Sequence, residues 1–73
     1  MISSPLQEES QAVVALRQSP IPALRHLTIE ETDEEIVILG CVTSYYCKQL
    51  AQEALMPHLR GRILRNDVLV VRQ

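Results

Sequence analysis

The feature of this chain that most constrains its fold is an aliphatic run that passes directly into a helix start, Ile36-Val37-Ile38-Leu39-Gly40-Cys41-Val42-Thr43-Ser44. Aliphatic and β-branched side chains favour a buried, pleated strand. The single glycine, Gly40, is typical of a place where another backbone approaches the strand closely. The hydroxyls of Thr43 and Ser44 are both suited to cap the first turn of a helix. The run therefore predicts a buried strand followed immediately by a helix.

Signals on either side of this run predict the element order α-β-β-α-β. We expect a first helix over residues 5–17, with Ser4 as its N-cap and Pro5 in the first helical position that proline favours. The prolines within residues 19–22 end that helix, because each restricts the residue before it. Strands are expected at residues 26–31, 35–42 and 63–71, a turn at 32–34 and a second helix at 45–56.

Alternation along the strands separates two faces of the predicted sheet. We assign the face that contains Gly40 to the helices, because a glycine lets Ala51 or Ala54 of the second helix approach closely. The opposite, open face then carries an apolar patch of five residues: Val37, Leu39, Cys41, Leu69 and Val71. Monomers seldom expose such a patch, so we predict association through the open face, with a covering tail or a neighbouring domain as the alternative. The predicted fold is a two-layer α+β sandwich, in which two helices cover one face of a three-stranded sheet.

Size and composition limit the kinds of function that this chain can have. The 73 residues form a single domain at most, and a domain this small buries only about 60% of its unfolded surface. With 47% hydrophobic residues and neither Trp nor Phe, the core must be aliphatic, and association with a second copy or a protein partner is favoured. The net charge of −2 and the lack of stacking aromatics beyond Tyr45 and Tyr46 give nucleic-acid binding little support. We expect these two tyrosines to shield the start of the second helix, with one ring partly buried.

The chemistry-bearing residues do not form a catalytic or metal-binding pattern. Cys41 and Cys47 are expected to be free, buried thiols of the core, although a strand and the next helix could also bring them together. His26 and His58 stand apart, and no second cysteine pair is present, so no metal site is predicted. Because so small a domain has little room for a pocket, we expect no enzyme activity, no cofactor and no small-molecule substrate.

A basic cluster after the second helix is a second candidate site: His58, Arg60, Arg62 and Arg65. Each cation near an anionic lipid surface contributes about 1 kcal/mol, so peripheral attachment to anionic phospholipid is the alternative function. A helix of roughly 18 Å returns the chain to the hairpin end of the sheet. That end carries an acidic run: Glu30, Glu31, Asp33, Glu34 and Glu35. We therefore expect the cluster and the run to lie close together and partly neutralise each other, and we expect no calcium site in the run.

No apolar run approaches the roughly 18 residues that span a bilayer. The N-terminus lacks the basic and apolar regions of a signal peptide, which leads us to expect a cytoplasmic protein. A trimmed sequence would look the same and would allow a periplasmic or membrane-associated location.

Over about residues 12–71 the chain resembles the BON domain, named for bacterial osmotic-shock and nodulation proteins. The family pattern has a first helix with an apolar-x-x-apolar beat, a strand ending V-x-L-x-G-x-V, a helix with small residues and a closing V-x-N-x-L-x-V strand. The matching positions are Val13 and Leu16; Ile36, Ile38, Gly40 and Val42; Ser44, Lys48, Ala51 and Leu55; and Leu64, Asn66, Val68 and Val70.

This resemblance implies a non-catalytic binding module, often linked to membrane association, with structural roles for Gly40, Ser44, Ala51 and Asn66. The chain departs from the family in three respects. It has Asp33 and Glu34 where a hairpin glycine is common, and Gly61-Arg62 where a Gly-Val pair is common. It also shows one copy of the domain without an export signal, where many members have two copies and are exported.

Overall fold

The computed structural model describes residues 10–72. The helices are α1 (Gln11–Arg17), α2 (Pro22–Arg25) and α3 (Tyr45–Leu55), and a 3-10 turn (Met56–His58) extends α3. The strands are β1 (Thr28–Glu31), β2 (Glu35–Leu39), β3 (Cys41–Val42), β4 (Ile63–Asn66) and β5 (Leu69–Val70). The α+β sandwich predicted from the sequence is confirmed.

The first helix is shorter than predicted. Its N-cap is Ser10, whose backbone is extended and whose hydroxyl accepts a hydrogen bond from the N–H of Val13 at 3.1 Å. One continuous helix over residues 5–17 is therefore wrong, while the predicted cap, Ser4, and the predicted first residue, Pro5, lie outside the described residues. The end at Arg17 is correct, but Pro22 also starts the short helix α2, because proline suits a first helical position as well as a stop.

The sheet combines one antiparallel and one parallel pairing. β1 and β2 form the predicted hairpin, and β4 lies parallel to β2 on its other side, in the order β1-β2-β4. The parallel pairing requires a crossover, which α3 supplies. The hairpin turn is stable without glycine because the Thr32 hydroxyl accepts hydrogen bonds from the N–H groups of Glu34 and Glu35, both at 3.1 Å.

The two long strands predicted over residues 35–42 and 63–71 are each interrupted once. The first breaks at Gly40, and the second breaks at Asp67 and Val68. The parallel ladder nevertheless continues through both breaks, since Leu69 N–H donates to the Gly40 carbonyl at 2.9 Å and Val71 N–H to the Val42 carbonyl at 2.8 Å. β3 and β5 are therefore a continuation of the same ladder beyond a kink.

Gly40 has a different role from the one predicted. Its φ of +134° lies in a region that L-residues rarely adopt. A Cβ added to Gly40 would lie 2.8 Å from Cδ2 of Leu27, which precedes β1, and no atom of Ala51 or Ala54 is among its nearest contacts. The glycine thus permits the kink and the approach of Leu27, whereas the expected close approach of α3 at this point is wrong.

The core lies between the helices and the face of β2 that carries Ile36 and Ile38, as the alternation predicted. Its buried members are Ala12, Leu16, Leu24, Ile36, Ile38, Val42, Ala51, Leu55 and Val68. Ala51 is fully buried, which fits its predicted structural role. Within residues 10–72, no helix has the length and apolar character needed to cross a bilayer.

Two predictions about individual side chains are wrong. Both cysteines are free as expected, but Cys41 is exposed and Cys47 is only half-buried, so they are not buried thiols. Tyr45 and Tyr46 are 67% and 70% exposed, so neither ring shields the start of α3 by packing into the domain. The core is accordingly built without aromatic residues.

Candidate protein-interaction surface

The open face of the sheet carries the apolar patch predicted from the sequence, with one exception. Cys41 and Leu69 are paired residues of β3 and β5, and Val71 follows Leu69 on the same side. Leu69 is 63% exposed, Val71 is 46% exposed, Cys41 is exposed and Leu39 is half-buried. These four residues therefore form a continuous exposed strip at the end of the sheet farthest from the hairpin turn.

Val37 is the exception, because it is only 4% exposed and is unavailable to a partner. It lies between Glu30 of β1 and Arg65 of β4, which are its paired residues on either side. Both of these neighbours have longer side chains than Val37, and no helix of residues 10–72 covers this face. From here on, the apolar patch denotes Leu39, Cys41, Leu69 and Val71.

Toward the hairpin, the open face is mainly charged. Arg65 lies 3.5 Å from the Glu35 carboxylate and 3.0 Å from the Asp67 carboxylate. The face is thus divided into a charged half near the hairpin and an apolar half near β3 and β5. Desolvating the charged half is costly, whereas desolvating the apolar half is favourable.

Ile63 is an exposed apolar residue that the predicted patch did not include. It is 70% exposed, and it pairs with Glu35, which places it on the open face at the hairpin end of β4. The signal was present in the sequence, since residue 63 has the same parity as Leu69 and Val71 in the predicted strand.

The basic cluster divides into paired and unpaired members. Arg62 is the most constrained, because its guanidinium lies 2.7 Å from the Glu31 carboxylate and also donates to the carbonyls of Leu59 and His58. With Arg65 held by Glu35 and Asp67, the expected neutralisation between the basic cluster and the acidic run is present. Arg60 is exposed and makes no ion pair within residues 10–72.

A shallow cleft of about 480 Å³ lies beside the paired Arg62 and Glu31. Its lining is mostly polar and of both signs: Ser10, Gln11, Ala12, Glu31, Thr32, Asp33, His58, Arg60 and Arg62. No group of three or more His, Cys, Asp or Glu residues in the described part of the chain is arranged to hold a metal ion. The cleft therefore offers mixed charge without a coordinating set.

The structural residues named from the sequence have clear local roles. Of the two candidate caps, Ser44 is the one used, since its hydroxyl accepts from Cys47 N–H at 3.1 Å. Asn66 joins α3 to the last strand, because its amide group donates to the Lys48 carbonyl at 2.9 Å and accepts from Val68 N–H at 3.2 Å. Ser44 therefore fixes the start of α3, and Asn66 positions the break between β4 and β5.

Comparison of the chain with models of protein families, with curated proteins and with solved structures finds no match. The class of molecule is therefore defined by its fold and surface: a small α+β sandwich with an uncovered sheet face in residues 10–72, half charged and half apolar.

Proposed function

We propose that this chain is a non-catalytic binding module of BON type, which docks a second copy or another protein through the open face of its sheet. The observation that supports the proposal most directly is the exposure of Leu69 and Val71 beside the exposed Cys41. Burying one such aliphatic side chain contributes roughly 1.5 to 3 kcal/mol. A partner that covers the patch would gain this from several neighbouring residues.

The position of the patch on paired strands supports docking over accidental exposure. Cys41 and Leu69 are held in register by the β3–β5 pairing, so this part of the patch is already arranged before a partner arrives. Rigid apolar surface loses little conformational freedom on binding, which favours affinity. The charged half of the face, around Arg65, provides the polar border that interfaces commonly have around an apolar centre.

The thiol of Cys41 provides a direct test. In a Cys47→Ser background, Cys41 is labelled with a maleimide-benzophenone and irradiated, first in the purified protein and then in extract from the source cells. We expect a covalent homodimer or a discrete adduct with another protein. The matched control carries the label on Tyr46→Cys, with both native cysteines replaced by serine, because position 46 is also exposed but lies on α3.

A second variant links the adduct to the patch. Val71→Asp places a charge in the apolar half and is expected to remove the adduct, while circular dichroism and thermal unfolding check that the domain still folds. If the Tyr46→Cys label gives the same products, or if Val71→Asp changes nothing, docking through the open face is contradicted.

Attachment to anionic phospholipid is the alternative function. The exposed Arg60 supports it, whereas Arg62 and Arg65 are already engaged by carboxylates. Flotation with neutral and anionic vesicles at low and high salt separates the two functions. Binding only to anionic vesicles, lost at high salt and in Arg60→Glu, would replace docking through the patch as the proposed function.

A further inference from the structure

The outer edge of β4 and β5 has no neighbouring strand within residues 10–72. The N–H groups of Ile63, Asp67, Leu69 and Val71 donate inward, to carbonyls of residues 34, 38, 40 and 42. Because backbone groups alternate in direction along a strand, the N–H and carbonyl groups of Leu64 and Asn66 face outward. An exposed edge with unpaired backbone groups is a template for another strand.

The order of the side chains along this edge complements that of an identical edge running in the opposite direction. On the open face, Ile63, Arg65, Asp67 and Leu69 read apolar, basic, acidic, apolar. The two apolar ends are both largely exposed, at 70% for Ile63 and 63% for Leu69. An identical edge running in the opposite direction would present an apolar residue to each apolar residue and an opposite charge to each charge.

We propose that a second copy of this chain pairs antiparallel along the β4–β5 edge, with the two-fold axis at Asn66. In this register Arg65, which already pairs with Asp67 of its own chain at 3.0 Å, also lies opposite the second copy's Asp67. Ile63 lies opposite the second copy's Leu69. Opposite-charge and apolar pairs directly across an antiparallel ladder each stabilise it. The interface is isologous, as closed two-fold symmetry requires.

Neighbouring registers are less favourable. An axis at Arg65 sets the two Arg65 side chains against each other, and an axis at Asp67 does the same with two carboxylates, which destabilises a cross-strand pair. With the axis at Leu64 or at Val68, the two charged residues Arg65 and Asp67 lie opposite uncharged residues or past the end of the paired strands. The Asn66 register alone matches the charges and the exposed aliphatic residues together.

The backbone supports the same register. The Asn66 N–H of each copy donates to the Asn66 carbonyl of the other, and each Leu64 N–H donates to the Val68 carbonyl across the axis. Val68 N–H needs no new partner, because the Asn66 side chain already accepts from it at 3.2 Å. The result is a continuous six-stranded sheet in which Ile63 extends the apolar patch of the second copy.

Leu69 belongs both to the edge and to the apolar patch. The inference nevertheless does not depend on the proposed function, because edge pairing uses the outward backbone groups of Leu64 and Asn66, which are not part of the patch. Cys41 belongs to β3, and the edge contact does not require it. Val71→Asp is expected to abolish docking at the patch while leaving the edge pairing intact. Failure of one proposal is therefore distinguishable from failure of the other.

Disulfide trapping tests the register. In a background with Cys41→Ser and Cys47→Ser, the double variant Ile63→Cys with Leu69→Cys is oxidised mildly and analysed by intact mass. Residues six apart in one strand are about 20 Å distant, too far for a bond within one copy. Directly opposite residues of a non-hydrogen-bonded antiparallel pair are about 4.5 Å apart at Cα, which a disulfide can bridge.

We expect the double variant to form a covalent dimer without free thiols, and each single-cysteine variant to remain monomeric under the same oxidation. Arg65→Asp and Asp67→Arg are each expected to abolish the trapped dimer. Mixing the two variants is expected to restore it as a heterodimer, because their charges then match between the copies and not within either chain. Circular dichroism of the reduced variants confirms that each is folded. Equal trapping of the single and double variants, or no trapping of a folded double variant at any concentration, would overturn the proposal.

Discussion

Arg62 and Glu31 are separated by 31 positions in the sequence, and their charged groups lie 2.7 Å apart. The pair joins the loop that follows α3 to the last residue of β1. Both side chains are about four-fifths buried, at 20% and 21% exposure, which distinguishes this contact from an ordinary surface ion pair. Arg62 thus stabilises the fold, and its charge is already engaged by Glu31 rather than free to bind an anion.

Replacing Arg62 with Ala is expected to lower the free energy of unfolding by about 1 to 3 kcal/mol, because hydrogen bonds to three oxygens are lost and Glu31 keeps a half-buried charge. Arg62→Lys should recover only part of this, since an ammonium lacks the guanidinium fork. Urea denaturation measures both. Arg60→Ala is the matched control and should change stability by no more than about 0.5 kcal/mol. Equal effects at Arg60 and Arg62 would contradict the role of the buried pair.

Ser44→Ala is expected to destabilise the domain by about 1 kcal/mol, because it removes the cap that accepts from Cys47 N–H. Thr43→Ala provides the control, since Thr43 is the adjacent hydroxyl and does not cap α3. Thermal unfolding of the two variants measures the difference in stability between them. If Thr43→Ala costs as much as Ser44→Ala, the cap is shared or misassigned.

The two glycines are expected to respond differently to alanine. Gly61 has a φ of +84° with open space around it, so Gly61→Ala should cost about 1 to 2 kcal/mol from backbone strain alone. Gly40→Ala adds a contact with Leu27 to its own strain and should cost about 1 kcal/mol more. Chemical denaturation tests the order, and a Gly40→Ala variant that is no less stable than Gly61→Ala would contradict it.

The parts of the fold that follow from side-chain periodicity were predictable from the sequence. Alternation along residues 36–42 placed Ile36 and Ile38 in the core, and the hydroxyl at Ser44 marked the start of α3. The distance argument also placed Arg62 near the acidic turn. Each of these depends on local pattern or on element length, which a single sequence contains.

The remaining features depend on tertiary packing. The positive φ of Gly40 divides one aliphatic run into two strands. The glycine marks a special position in the run, but the sequence does not show that the backbone turns there. Val37 is buried between its cross-strand neighbours, although it lies with Leu39 on the face that no helix of residues 10–72 covers. At the site, the strip from Leu39 to Val71 was predictable by parity, while the position of Ile63 at an unpaired edge required the strand order.

The side-chain amide of Asn66 supports the crossover through its NH2 group and through its oxygen. Variants of Asn66 are expected to show the separate effects of these two hydrogen bonds. Asn66→Ala should lower the free energy of unfolding by about 1 to 3 kcal/mol, because the Val68 N–H and the Lys48 carbonyl both lose a partner. Asn66→Asp keeps an acceptor for Val68 but places a carboxylate against the Lys48 carbonyl, so its cost should be at least as large.

Amide hydrogen exchange at Val68 distinguishes these variants beyond their stability. Exchange should be slow in the parent and in Asn66→Asp, where an oxygen still accepts from Val68 N–H, and faster in Asn66→Ala. The amide of Val37, in the centre of the sheet, provides the internal control and should change only with global stability. If the exchange rate of the Val68 amide, divided by that of the Val37 amide, is the same in all three proteins, the Asn66 side chain does not hold the strand break. In that case the kink before β5 must be set by packing of Val68 alone.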